Sequence, residues 1–200
     1  MILPLFPLQL VLFPDAVLGL KVFEARYLDL VAECLRSQAP FGVVSLAAGH
    51  EVGRDAKVQL EAVGTLAHID EADAEQPGIL RVRCLGGQRF RRTAAPVQRD
   101  NGLWEAEVEL IAPDPLRLPG PAMLQTVSAL AEAIRKLQSQ DRAPFQPPYR
   151  LDDAGWVANR WCELLPVSTA AKQKLMELDD PVIRLSLVDG FLRDKKVIVG

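Results

Sequence analysis

Two hundred residues are enough to enclose a continuous apolar core, so folding requires neither a disulfide nor a metal staple. Apolar residues make up 49% of the chain and charged residues 24%, a globular balance that excludes a disordered polypeptide. The net charge of −3 provides no long-range attraction to nucleic acid or anionic lipid.

The first fourteen residues carry no side-chain charge. Pro4, Pro7 and Pro14 interrupt this apolar run, and proline breaks helices, so neither a signal helix nor a membrane span is expected. Short extended segments with prolines at their ends or edges fit instead. The chain is expected to be soluble and cytoplasmic, without membrane contact. Cys34, Cys84 and Cys162 are widely spaced, and each sits in an apolar run. They read as three reduced, buried thiols.

In chain order, Val17 to Val22 reads as a buried strand and Phe23 to Ser37 as a helix. On that helix Tyr27, Val31 and Leu35 share a face at four-residue steps, with Cys34 beside them. Phe41 to Leu46 and Val58 to Ile69 follow as strands, with Gly64 marking a bulge in the second. Leu80 to Leu85 and Gln88 to Arg92 flank Gly86-Gly87, which predicts a hairpin turn. Trp104, Ala106, Val108 and Leu110 alternate with Glu105, Glu107 and Glu109, the pattern of a half-buried strand. Residues 1–113 thus predict a curled sheet or partial barrel with one helix.

Residues 114–121 contain prolines 115, 119 and 121, which makes them a stiff linker. Residues 122–200 then read as a small helical bundle, and the whole chain as α+β. Met123, Val127, Leu130, Ile134 and Leu137 form an apolar stripe at helical spacing. Asp152 or Asp153 caps a second helix running to Leu165, and Ser168 caps a third reaching Leu178. Asp180 with Pro181 behind it opens a fourth that continues through Leu192.

Chemistry-bearing groups are sparse. His50 lies in a loop and His68 near a strand end, and both read as ordinary polar side chains. No CxxC, HxxxH or HExxH motif exists to seed zinc binding, and neither a P-loop nor a GxSxG elbow occurs. Neither metal nor cofactor is expected. Ser168 and Lys172 have the spacing of a Ser–Lys dyad, but the serine is wanted as a helix cap. Arg81, Arg83, Arg89, Arg91, Arg92 and Arg99 cluster in sequence, and two readings remain. Either Arg81 and Arg83 project from the polar face of a strand opposite Glu105, Glu107 and Glu109 and form cross-strand ion pairs, or the cluster forms a cationic face for RNA. The ion-pair reading is favoured because acidic residues match the basic ones.

Leu3-Pro4-Leu5-Phe6-Pro7-Leu8, then Val11-Leu12-Phe13-Pro14, then Leu18-Gly19-Leu20-Lys21-Val22-Phe23-Glu24-Ala25-Arg26-Tyr27 form a distinctive opening. This opening resembles that of the amino-terminal, substrate-binding domain of Lon (La) proteases. The resemblance continues through Phe41-Gly42-Val43-Val44, Val63-Gly64-Thr65 and Gly86-Gly87-Gln88-Arg89-Phe90. More loosely, it reaches Leu164-Leu165-Pro166 and Lys172 to Glu177. It implies a PUA-like β-rich subdomain followed by helices, and a non-enzymatic module that binds polypeptide, with self-association plausible. Asp15 stands where the family usually has glycine, which puts the turn after Pro14 in question. The chain ends at Gly200, before the ATPase and protease of a full Lon, so recognition carries over and proteolysis does not. Within the opening, Glu24 and Arg26 are expected in the helix's first turn, with Tyr27 facing the core. Phe6, Phe13, Phe23 and Tyr27, with Glu24 and Arg26, are the candidate binding residues. A groove between the two parts, or an exposed strand edge, is the expected means.

Overall fold

Apolar residues that alternate with polar ones mark the first half of the chain, and short capped helices the second. A computed structural model describes residues 1–47, 59–140 and 145–198 as an α+β fold of two compact units, Met1–Pro113 and Asp114–Gly200.

The first unit has seven strands: β1 (Ile2–Leu8), β2 (Val17–Val22), β3 (Phe41–Ser45), β4 (Val63–Gln76), β5 (Ile79–Arg92), β6 (Val97–Gln98) and β7 (Trp104–Leu110). Helix α1 (Ala25–Ser37) lies between β2 and β3 in sequence. The sheet order is β2-β5-β4-β3-β1-β7-β6, and a further β5–β7 pairing closes β1, β3, β4, β5 and β7 into a ring. β5 makes closure possible because it is long. Its first half pairs with β2, from Val17↔Leu85 to Val22↔Leu80, and its end pairs with β7 at Phe90↔Leu110. Among the described residues β2 is therefore attached to the ring along one side only. Leu3, Leu5, Val44, Leu66, Phe90, Ala106 and Val108 pack together as the core, filled by the inward positions of alternating strands.

Several local expectations change in three dimensions. Gly86-Gly87 is not a hairpin turn, because β5 continues through both residues with a register shift against β4 between Gly86 and Arg89, and the chain reverses at Pro77-Gly78, with Gly78 at φ 80. The two glycines serve close approach instead. A Cβ on Gly86 would sit 2.2 Å from the Phe13 carbonyl oxygen, and one on Gly87 would sit 2.7 Å from His68 Nε2. Gly64 marks no bulge: it pairs in regular register with Phe90, and the extra residues of β4 are Asp70 and Glu75, while opposite Leu66 the extra residue lies on β5. Gly64 is small because Val43 O lies 2.4 Å from its would-be Cβ. Val58 lies outside the described residues, and the strand beyond it begins at Val63. α1 starts at Ala25, so Glu24 is its N-cap residue and not part of the first turn. Its buried face is Tyr27, Leu30, Val31 and Cys34, whereas Leu35 is 49% exposed. Spacing defines an apolar stripe, but tertiary packing decides which edge of the stripe is covered.

The second unit holds α2 (Leu124–Gln138), α3 (Ala154–Leu164), α4 (Thr169–Glu177) and α5 (Pro181–Asp194), with a 3-10 turn at Pro121–Met123. Three of the caps follow from sequence. Asp153 accepts from the Gly155 and Trp156 amides, Ser168 from Ala171, and Asp180 from Val182 and Ile183. Each cap satisfies amides that the helix itself leaves without partners. α3 is buried along almost its whole length. Arg184, 1% exposed, holds the unit together: it donates to Asp114 (2.5 Å), Asn159 (3.0 Å), the Leu175 carbonyl (2.9 Å) and the Leu178 carbonyl. Asp114 and the Arg117 carbonyl, which accepts from Ala154 N at 2.8 Å, fasten the proline-rich segment to the helices. A second buried arginine, Arg160, pairs with Glu163 at 2.5 Å and lies over the rings of Phe145 and Trp156.

Candidate functional site

In the first unit the ring of strands leaves a cleft of 620 Å³ beside the end of β2. β1 contributes Phe6, Pro7 and Leu8, followed by Gln9. Lys21 and Val22 come from the end of β2, with Phe23 and Glu24 after them. Arg26 and Tyr27 come from the start of α1. Leu46, Gln98 and Trp104 complete the wall.

The aromatic floor is built by stacking. The Phe6 and Tyr27 rings lie 4.0 Å apart at 16°, and the Arg26 guanidinium covers the Tyr27 ring at 4.8 Å. Arg26 is fixed in that position from two sides. Its Nε and Nη2 donate to Glu24 Oε2 at 3.0 and 2.7 Å, and its Nη1 donates to the Gly102 carbonyl at 2.9 Å. Glu24 and Arg26 thus neutralise each other at the rim, leaving the apolar surface to set what fits. Phe23, 63% exposed, is the least covered of the aromatic groups. A large apolar ring held in water at a cleft is disfavoured unless something covers it. At the β2 rim, Lys21 donates to Glu75 at 3.3 Å, and that bond holds the Glu75 carboxyl below its ordinary range.

Of the sequence candidates, Phe6, Phe23, Glu24, Arg26 and Tyr27 come together here. Phe13 does not: it is fully buried, and its backbone carbonyl packs on Gly86. The residue that sequence reasoning passed over is Trp104. Strict alternation placed it on the inward face of β7. It stands at the strand's first position, between Leu5 of β1 and Gln98 of β6, and its ring is only half-buried. An inward aromatic at a strand terminus was the available signal.

The arginine cluster is not one face. Arg81 and Arg83 find their acids on β4, at Glu75 (3.6 Å) and Asp70, and not on β7 as the alternation predicted. The reason is topological: the first half of β5 lies beside β2 and β4, while β7 meets β5 only at residues 90–92. Arg89 is 4% exposed, and Arg92 donates to the Leu60 (2.6 Å) and Glu61 (3.0 Å) carbonyls. Burial lowers the pKa of Arg92. Arg91 is exposed and stands in register with Glu109, and Arg99 pairs with Glu105 at 2.5 Å.

Nothing resembling a nucleophile site forms around Ser168. Its hydroxyl accepts the Ala171 amide at 3.2 Å, while Lys172 Nζ donates to the Glu163 carbonyl at 3.1 Å. His68 is exposed beside Gly87, and His50 lies outside the described residues. Among the described residues no group of three or more His, Cys, Asp or Glu could hold a metal, and no helix is long and apolar enough to cross a membrane.

A ring of strands with one inserted helix and an aromatic cleft, followed in the chain by a capped helical unit, defines an α+β fold. The same arrangement is found in a Lon N-terminal domain protein from Xanthomonas campestris, 34% identical, with a TM-score of 0.77, over 96% of this chain and 98% of that one. The N-terminal domain of a Mycobacterium avium complex Lon protease shares the fold at 16% identity and a TM-score of 0.63, over 97% and 99% of the two chains. None of the curated proteins matches significantly. The chain belongs to the ATP-dependent protease La (LON) substrate-binding domain family, whose pattern it matches over residues 2–194.

Proposed function

We propose that this chain is a non-catalytic recognition module that binds polypeptide, seating an apolar side chain of an extended or unfolded segment in the cleft of Phe6, Phe23, Tyr27 and Trp104. The observation that carries this reading is the aromatic cleft itself, with Phe23 exposed at its mouth and the adjacent charges paired with each other. Family membership supports polypeptide as the ligand class. Its buried, reduced cysteines suit a reducing compartment such as the cytoplasm. An RNA-binding role finds less support, because Arg81, Arg83, Arg89 and Arg92 are paired, buried or occupied with carbonyls.

The test is saturable binding of a labelled, permanently unfolded polypeptide to the protein and to Phe23→Asp. Phe23 is exposed, so the substitution leaves the core intact. Covering a phenylalanine ring contributes about 1.5–3 kcal/mol, so the variant should bind roughly tenfold to a hundredfold more weakly. Equal binding by both proteins would refute the cleft as the site. Retention of labelled RNA, lost steeply with added salt, would favour the arginines instead.

A further inference from the structure

Among the described residues two strands pair along one side only, β2 and the two-residue β6, and β2 is the longer of them and runs to the cleft. The direction of its backbone groups follows from one hydrogen bond. The Gly86 amide donates to the Ala16 carbonyl at 2.8 Å, and the register from Val17↔Leu85 to Val22↔Leu80 is unbroken. In an antiparallel pair, residues alternate between exchanging both backbone bonds with the neighbour and exchanging none. Leu18, Leu20 and Val22 are therefore bonded to β5, and the N–H and C=O of Val17, Gly19 and Lys21 point away from it, along the open edge.

Open edges are usually blunted by a charged side chain standing across them. Here the lysine leans the other way. Lys21 reaches over β5 to Glu75 of β4, on the side opposite the edge. Gly19, at the middle of the edge, has no atom within 4 Å of the position a Cβ would take. The edge then runs into Val22 and Phe23, which line the cleft.

We infer that the outer edge of β2 is a strand-addition site: an extended segment of client polypeptide pairs its backbone with Val17, Gly19 and Lys21 and delivers a bulky apolar side chain into the cleft. This rests on the polypeptide-binding reading above and specifies how it is achieved. Main-chain pairing tolerates many sequences, and the cleft adds a preference for an aromatic or large aliphatic residue at one position. The occupant is a heterologous extended segment, since main-chain pairing beside an apolar cleft matches the chemistry of an unfolded chain.

Two measurements test it. The first uses a short labelled peptide of alternating valine and threonine with a central phenylalanine, made in two forms N-methylated at opposite alternate positions. Strand addition requires one form to bind like the unmethylated peptide and the other to lose at least about tenfold, because only alternate amides face the protein. The second uses Gly19→Pro, which places a ring on the open edge without removing a bond to β5. It should fold normally by circular dichroism and bind the unmethylated peptide at least about tenfold more weakly. If Gly19→Pro fails to fold, the methylated pair on the unaltered protein decides alone. Equal loss or no loss from both methylated forms, with Phe23→Asp still impairing binding, would overturn strand addition and leave the cleft reading standing. Absence of any peptide binding would overturn both. A dimer of this chain that Gly19→Pro dissociates, with peptide unable to compete, would assign the edge to a second copy and overturn the inference.

Discussion

Replacing Gly86 by alanine isolates the one place where a turn motif and a packing motif look alike in sequence. In the folded chain the added methyl would sit 2.2 Å from the Phe13 carbonyl oxygen and 3.3 Å from the Ala16 nitrogen, overlapping backbone that cannot rotate away. That backbone is fastened in place. The Asp15 amide donates to the Gly86 carbonyl and the Gly86 amide to the Ala16 carbonyl, both at 2.8 Å, and the Ala16 amide donates to Phe13 O at 3.1 Å. Relief requires the strands to separate. Overpacking of this kind costs about 1–3 kcal/mol. Weakening one of the pinned bonds adds about 1 kcal/mol, so Gly86→Ala should destabilise by roughly 3 kcal/mol. The control is Gly19→Ala, where the methyl meets open space, and glycine's greater loss of freedom makes alanine neutral or favourable by about 0.5 kcal/mol. Urea unfolding followed by circular dichroism measures both, read at the transition of the first unit. A loss below about 1 kcal/mol for Gly86→Ala would refute the close-approach argument and restore the turn interpretation.

In the second unit, Arg184→Met leaves Asp114 and two carbonyls without their buried donor and should cost about 3–5 kcal/mol by chemical denaturation, and an unchanged midpoint would show that the network is dispensable. Asp15 occupies φ 62, so Asp15→Gly should stabilise by about 0.5–1 kcal/mol in a thermal melt; destabilisation would mean that the carboxylate's own contacts outweigh the backbone strain. Burial pushes the thiols of Cys34 up to about 11 and of Cys84 and Cys162 up to about 12, so none should react with an aromatic disulfide reagent at pH 8 until the protein is unfolded. The sign for stability follows from the same shifts. Unfolded thiols ionise near 9.0 while folded ones stay protonated, so their contribution is fully present below pH 9 and declines as pH rises toward 11. A stability that rises through that window would contradict it.

Features that depend on residues within a turn or two of each other were legible in the sequence. Asp153, Ser168 and Asp180 cap their helices because a side-chain oxygen and the amides two or three residues on are brought together by the chain itself. β2 and β7 follow from a two-residue alternation that needs no partner to be recognised. The proline-punctuated opening and Phe23 to Tyr27 pointed to the family and to five of the residues at the cleft.

Tertiary structure decided everything that depends on which segment lies beside which. Leu30 and not Leu35 is covered because the buried face of α1 runs through Tyr27, Leu30, Val31 and Cys34, which only the fold selects from the apolar positions. Arg81 and Arg83 pair with β4 because β5 is long enough to pair with β2 in its first half and β7 at its end. Phe13 is sealed and Trp104 is half-buried at the cleft, although both read as inward aromatics, because one lies where the backbone packs on Gly86 and the other at the first position of β7, beside the cleft. Local chemistry has a range of about one helical turn, and ring closure joins residues tens of positions apart; the cleft and the free edge of β2 come from that closure.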